Sequence, residues 1–540
     1  MTHLESQICS HLLLAHYGQI VSKVGTHLIR TGSQPLRLIA ADTNTPVDQV
    51  KKALCVLIHH NFVTYHLHKR GYVEYELHGA HVLRILRYPR YIYSAKTLYG
   101  DTGELIVEEL LQNGKMTMSA VVKKVVDRLT ETMQADNQSV ENIEASNTFV
   151  RLVETHFLQR CGSVPEPAAD DPSRPPPAPT LVLDEKEMYT VPDLSLIGQC
   201  RRRRRVSGDS GEPKSKRCKL NPVEQELPHN DGVYWQVNFD RFHQHFRDQA
   251  IVAAVGSKLD QTCSEIVRTM LRISEVTTSS TSSHTQPLSS NEIFRAFPTG
   301  YNLSKQVLDQ YLALLSDDPM EFVSKTGESG GGMYMINLHR ALASLACATV
   351  ESVVQERFGS RSARIFRLLL RKCHLEQKQV EDFAMIPAKE AKDMMYRMLS
   401  ENIIFLQEIP KTPDHAPSRT FYLYTVNLPA TARMILQRCY KTVVNLIDRR
   451  EHETRENKRL LEKSQRIEAI MASMQATGAV EVQLQEIEEM ITAPEQQQLE
   501  ALKHNVNMLD SSENQVDETI FVLESYIATT RIEKEVPAKR

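Results

Sequence analysis

Apolar positions recur three and four residues apart through most of the chain, and short alternating stretches separate these runs. The pattern predicts a mainly α protein with small β hairpins. One helical phrase occurs twice. Residues 46–63 read PVDQVKKALCVLIHHNFV and residues 387–404 read PAKEAKDMMYRMLSENII. Laid over each other, Val50 meets Ala391, Ala53 meets Met394, Leu54 meets Met395, Leu57 meets Met398, Ile58 meets Leu399 and Asn61 meets Asn402. One apolar face is written in both places, and each copy is followed by a strand pair. Helices closed by a two-stranded flap make a winged helix-turn-helix unit.

Four such units can be marked out. The first, residues 1–92, has helices near 4–17 and 20–30, a short helix after Pro35, and the periodic helix with Thr45 as N-cap and Pro46 at its first position. Its wing is 63–68 and 73–77 around the turn Lys69-Arg70-Gly71. The second, 93–193, places a helix at 147–156 in the recognition position and splits its wing: a strand at 157–161, a proline-rich loop at 162–179, and a hairpin at 181–191. Residues 194–231 turn to Arg, Lys, Ser, Gly and Pro and read as a disordered basic linker. The third unit spans 232–337 and the fourth 338–427. Residues 428–530 carry two heptad seams, through Leu436, Val443, Leu460 and Ile467 and, after Pro494, through Leu499, Leu502, Ile520 and Leu523. These predict an antiparallel coiled-coil hairpin, and the polar interruptions Arg450, Glu453 and Asn457 favour pairing within the chain over a homo-oligomer. Residues 531–540 form a tail.

At 540 residues the chain exceeds one hydrophobic core. Its net charge of -3 argues against attachment to nucleic acid by bulk electrostatics, although a local basic surface can hide in that sum. No apolar run reaches about 18 residues and no leader pattern opens the chain, so neither membrane insertion nor secretion is expected. The nine cysteines show no CxxC pair and read as reduced thiols.

Catalytic signals are weak. Gly327-Glu328-Ser329-Gly330-Gly331 matches the nucleophile-elbow spacing, but strands flank it on both sides, which makes it a wing loop. Gly208-Asp209-Ser210-Gly211 lies inside the basic linker. His66 with His68, and His243 with His245, lack a third ligand at metal spacing. No phosphate-loop, dinucleotide or zinc-protease motif occurs, so no cofactor or metal is expected.

Two basic features remain. Arg201, Arg202, Arg203, Arg204 and Arg205, followed by Lys214, Lys216, Arg217 and Lys219, set nine cations against Asp209 and Glu212, a local +7. Two clusters on a flexible tether suit a bipartite nuclear import signal, with a solvated linker as the plain alternative. The stretch 83–99 interleaves Arg84, Arg87, Arg90 and Lys96 with Tyr88, Tyr91, Tyr93 and Tyr99. Cations for phosphates and rings for bases suit single-stranded nucleic acid, and Lys69 and Arg70 add to that set. The alternative is that the tyrosines pack between the first two units. The recognition-position helices offer Asp48, Gln49, Lys51 and Lys52 in the first unit and Lys389, Glu390, Lys392 and Asp393 in the fourth, faces too charge-balanced for reading a major groove.

Several segments resemble the winged-helix subunit of eukaryotic RNA polymerase III: residues 27–66, LRYPRYIY at 86–93, QPLSSNEIFR at 286–295, ERFGSRSARIFRLLL at 356–370, DFAMIPAKEAKDM at 382–394 and ENQVDETIFVLESYI at 513–527. The resemblance covers nearly the whole chain and is weakest in the two linkers. It implies four extended winged-helix domains and a C-terminal coiled coil, a plan similar to the large subunit of transcription factor IIE. It also implies a noncatalytic member of a heterotrimer on the polymerase clamp, with two heterotrimer partners, that supports promoter opening and initiation at transfer RNA, 5S ribosomal RNA and other small-RNA genes. The implied location is the nucleus, with a cytosolic pool tied to sensing of foreign DNA. Two rivals stand beside this reading: a free-standing winged-helix DNA-binding regulator, and an adaptor without DNA contact.

Overall fold

The computed structural model describes residues 2–68, 70–133, 138–162, 188–191, 233–279, 282–298, 300, 303–411, 413, 417–476 and 491–535. The basic linker, Lys69 and the proline-rich loop from residue 163 lie outside them. The first module comprises α1 (His3–Tyr17), α2 (Gln19–Thr31), β1 (Gln34–Pro35), α3 (Leu36–Thr43), α4 (Val47–His59), β2 (Val63–Leu67) and β3 (Val73–Leu77). After α5 (Gly79–Leu83) and a tight turn at Arg84–Arg87 comes α6 (Tyr88–Asn113), broken at Gly100, whose φ of 76° interrupts the helix. The second module continues with β4 (Met116–Thr117), α7 (Met118–Met133), α8 (Gln138–Glu154), β5 (Leu158–Arg160) and β6 (Tyr234–Val237). The third holds α9 (Phe239–Lys258), α10 (Gln261–Ser274), β7 (Leu288–Ser289), α11 (Ser290–Ala296), α12 (Lys305–Asp317), β8 (Val323–Gly327) and β9 (Met333–Ile336). The fourth holds α13 (Leu338–Phe358), α14 (Ser360–Lys372), β10 (His374–Leu375), α15 (Gln377–Ala384), α16 (Ala388–Ser400), β11 (Phe405–Pro410) and β12 (Thr420–Thr425).

The four sheets share one topology. Their orders are β1-β3-β2, β4-β6-β5, β7-β9-β8 and β10-β12-β11, so each time a two-residue strand pairs with the last strand of its wing. The corner between recognition helix and wing is also shared. Asn61, His156, Glu321 and Asn402 each adopt a left-handed φ, between 49° and 66°. The next residue, Phe62, Phe157, Phe322 or Ile403, is buried. The left-handed residue reverses the chain within one position, and its successor drops into the core. In the second and third modules an asparagine beyond the wing holds this corner. Asn238 Nδ2 donates to the His156 carbonyl and Asn337 Nδ2 to the Glu321 carbonyl, each at 2.9 Å. In the fourth, Thr431 Oγ1 donates to the Ile403 carbonyl at 3.2 Å.

The second wing includes a strand that the sequence reading did not name. β5 pairs with β6, across the basic linker, with Leu158 opposite Val237 and Arg160 opposite Trp235, and the Arg160 amide donates to the Met188 carbonyl at 3.1 Å; most of the expected 181–191 hairpin, residues 181–187, lies outside the described residues. The chain's single tryptophan lies in β6: Trp235 is 1% exposed and stands edge-on to Phe149 at 5.6 Å.

Two compact units emerge. One contains residues Met1–Arg30, Gly79–Arg87 and His243–Arg540, the other Thr31–His78 and Tyr88–Phe242. The first module is therefore divided, its leading helices in one unit and its α3, α4 and wing in the other. The larger unit is organised around α17 (Leu428–Glu456), α18 (Lys458–Ala476) and α19 (Ala493–Glu535), against which α1 and α13 pack. Tyr440 bonds to Glu524, Arg450 to Asp510 at 2.7 Å, and Lys463 to Glu495 at 2.7 Å. Partners retreat along α19 as they advance along α17 and α18, which defines an antiparallel hairpin. Val443, Ile467, Leu499, Leu502 and Leu523 of the seams are buried, and in the polar stretch between them Arg450 answers Asp510 and Glu513.

Asn337→Ala removes the donor to a corner carbonyl and should destabilise the third module by about 1–3 kcal/mol, the range for stranding one buried polar group. Urea unfolding of the full chain, read by proteolysis within α12 and β8, measures it. A corner already satisfied by solvent would show no loss.

Candidate nucleic-acid interface

The 83–99 stretch divides according to helical phase. Within the larger unit, Arg84 is half-buried and Arg87 is only 6% exposed. Arg87 Nε donates to Asp517 Oδ1 at 2.9 Å and Nη2 donates to Glu524 Oε2 at 2.6 Å. Its guanidinium also lies 5.3 Å from the Phe521 ring centre. The Tyr440 hydroxyl donates to the other Glu524 oxygen, and burial, with the Glu524 charge second, pushes the phenol's pKa well up so that it stays a donor. Asp517 is 1% exposed. Arg87 is thus enclosed by two carboxylates and a ring, and its position in a buried network withdraws it from any solvent-facing set.

Within the smaller unit, Tyr91 is 0% exposed and packs on Phe239 and Phe242 at 5.4 and 5.2 Å between ring centres. Tyr88 stacks on Phe239 at 6.2 Å and is half-buried. Tyr99 hydrogen-bonds Thr155 and carries Arg151 over its ring. Tyr88 and Tyr91 are therefore packing residues, set against Phe239 and Phe242 of α9 and not between the first two modules. Arg90 is half-buried, while Tyr93, Lys96 and the wing-tip Arg70 are exposed. Lys96 pairs with Glu104 at 2.7 Å and Asp101 at 3.2 Å, and these partners, Glu104 first, hold its pKa above the ordinary value. The import cluster Arg201–Lys219 lies outside the described residues.

Some charges of the first and fourth recognition helices have partners. Lys51 stands 3.7 Å from Asp48, Glu390 pairs with Arg361, and Lys392 covers the Tyr396 ring. His66 Nε2 sits 3.3 Å from Glu74 and His68 stacks on Tyr72. Among the described residues no group of three His, Cys, Asp or Glu side chains is arranged to hold a metal. Gly327–Gly331 forms the tip of the third wing, between β8 and β9.

One concave feature escapes a motif-based reading. A groove of about 420 Å³ lies in the smaller unit, floored by Leu54 and Ile58 and walled by α4, the wing and Lys115 of the turn after α6. Lys51, Cys55 and His59 enter it as one i, i+4, i+8 stripe of α4. Tyr65 and Tyr75, directly opposite each other in the wing register, line the facing wall. The spacing of the α4 stripe was the available signal. Lys115 comes from a different module, and no local pattern announces it.

Repeated winged-helix modules together with an antiparallel helical hairpin define a tandem winged-helix protein. Comparison with known proteins narrows the class. Family models match residues 7–68 (RNA polymerase III subunit RPC82 helix-turn-helix domain), 147–345 (RNA polymerase III subunit RPC82), 350–426 (POLR3C, C-terminal winged-helix domain) and 459–522 (DNA-directed RNA polymerase III subunit RPC3, helical hairpin domain). The chain is 72% identical to DNA-directed RNA polymerase III subunit RPC3 of Homo sapiens, over 98% of this chain and 99% of that protein. It is 62% identical to the Danio rerio subunit over the same shares, and 22% identical to the Dictyostelium discoideum subunit over 85% and 93%. The chain belongs to the RNA polymerase III subunit RPC3/RPC82 family, and is a noncatalytic subunit of that kind.

Two outcomes follow from this geometry. Arg87→Met leaves Asp517 without its cation and should cost about 3–5 kcal/mol, whereas Arg87→Met with Asp517→Leu should recover most of it. Urea unfolding reported from α19 distinguishes them, and equal stability of wild type and single variant would contradict the buried network. His60, stacked on Phe62, has its pKa pushed down to about 4 by burial, then by the nearby charges of His59 and Lys115. A depressed folded pKa means its contribution is fully present above about pH 6.5 and is lost as the pH falls toward 4. His60→Gln should flatten the fall in melting temperature across that window, and an unchanged slope would show that the imidazole does not titrate as described.

Proposed function

We propose that this chain is a positional subunit of RNA polymerase III. It docks on the polymerase clamp within a heterotrimer and supports promoter opening and initiation at transfer RNA, 5S ribosomal RNA and other small-RNA genes. The observation that supports this reading is the near full-length match to RPC3 subunits, hairpin and winged modules included, by a chain whose recognition helices are charge-balanced. Its partners are two heterotrimer subunits and the largest subunit of the enzyme. Its DNA contacts are made to the backbone of promoter or single-stranded DNA without reading sequence, through Lys69, Arg70, Arg84, Arg90 and Lys96. Arg87 and Tyr91 are left out of this set because the fold buries them. Arg201–Arg205 with Lys214, Lys216, Arg217 and Lys219 serve nuclear import, and a cytosolic pool meets foreign DNA.

Purification of the tagged chain from nuclear extract should bring a stoichiometric set of polymerase subunits, whereas a free monomer or homodimer would contradict the assignment. Arg84→Glu with Arg90→Glu should weaken single-stranded DNA binding about five- to tenfold with a shallower salt dependence, leaving subunit assembly intact. Unchanged binding would remove these two arginines from the contact set.

A further inference from the structure

The groove between α4 and the first wing combines four features. It is lined by Lys51, Cys55, His59, Tyr65, Tyr75 and Lys115 and by no carboxylate. Lys115 is half-buried yet has no acidic partner among the described residues, and burial lowers its pKa. Lys51, at 61% exposure, keeps only the long 3.7 Å approach to Asp48. The two tyrosines face each other across the β2–β3 ladder and form the wall opposite the lysine-bearing helix. A half-buried ammonium without a counterion favours an anion, and an adjacent phenol pair favours a flat ring.

We propose that this groove seats one nucleotide of a single-stranded nucleic acid, its base laid against Tyr65 and Tyr75 and its flanking phosphates held by Lys51 and Lys115. The volume of about 420 Å³ takes one base with its sugar and phosphate. Phosphate charge and the face of a base are common to every sequence, so the seat holds a strand without reading it. An acidic peptide would satisfy the two lysines, but it has no general use for paired rings. The inference deepens the nucleic-acid part of the proposed function and rests on it. It also gives the first recognition-position helix a role on its groove side.

The test uses the purified full chain and a fluorescent twenty-residue oligothymidylate. Cys55 and Cys373 are both exposed, and only Cys55 lies in the groove. Saturating oligonucleotide should slow alkylation of Cys55 at least about fivefold and leave Cys373 unchanged. Lys51→Gln with Lys115→Gln should weaken binding about tenfold and make the log–log salt slope shallower by about 1.4, two contacts at about 0.7 each for single strands. Full binding by this variant, with Cys55 unprotected in the wild type, would overturn the groove. The wider DNA reading would survive that result if Arg84→Glu with Arg90→Glu still weakens binding. Failure of the wild type to bind the oligonucleotide would overturn both. Equal protection of Cys55 by oligoglutamate of matched charge would assign the groove to acidic peptides and overturn the nucleotide seat.

Discussion

The larger unit depends on a buried ion cluster in which one guanidinium meets two carboxylates. Arg87 reaches Asp517 across 430 residues of sequence, and Glu524, one face along α19, is shared between Arg87 and the Tyr440 hydroxyl of α17. Desolvating these charges is costly, so the cluster is a weak source of net stability but a strong source of specificity. Any arrangement that slides α19 past α17, or lifts the turn at Arg84–Arg87 away from the hairpin, strands a charge in a dry environment. The register of a long antiparallel hairpin is poorly fixed by leucine seams alone, which can slip by a heptad. Here a cation from outside the hairpin pins it, and further along Arg450 of α17 itself meets Asp510 and Glu513.

The modules are fixed by smaller and repeated means. Each recognition helix ends in a left-handed residue, turns into a buried apolar anchor and enters a wing whose last strand collects a two-residue strand from earlier in the module. Because polar partners such as Asn238, Asn337 and Thr431 satisfy the corner carbonyls internally, the corner does not need DNA or another ligand to complete it. On the fourth recognition helix Glu390 and Lys392 are answered in the same way, by Arg361 and Tyr396. A winged helix whose polar groups are settled within the chain suits a scaffold better than a reader.

Much of this plan was legible in the sequence. The repeated apolar face marked the same helix in both places, and the structure adds that the aligned Asn61 and Asn402 take nearly the same φ, 59° and 56°. The hairpin was legible because heptad seams are long and redundant. What stayed hidden was non-local. The pairing of β5 with β6 crosses the basic linker and goes with the burial of Leu158, Trp235 and Val237. In the 83–99 stretch the sequence displayed alternating cations and rings but not which helical side faced inward. Tyr88 and Tyr91 turn toward Phe239, and Arg87 turns toward α19. Burial of an arginine is legible only once its carboxylates are known, and these lie at the far end of the chain.

Hydrogen exchange of the intact chain tests the central claim most directly. If Arg87 and its carboxylates lock the turn to the hairpin, the amides of residues 85–87 and of 513–527 should open together, with one protection free energy that drops for both segments when Arg87 is replaced. Independent opening of the two segments, or α19 protection indifferent to Arg87, would contradict the account.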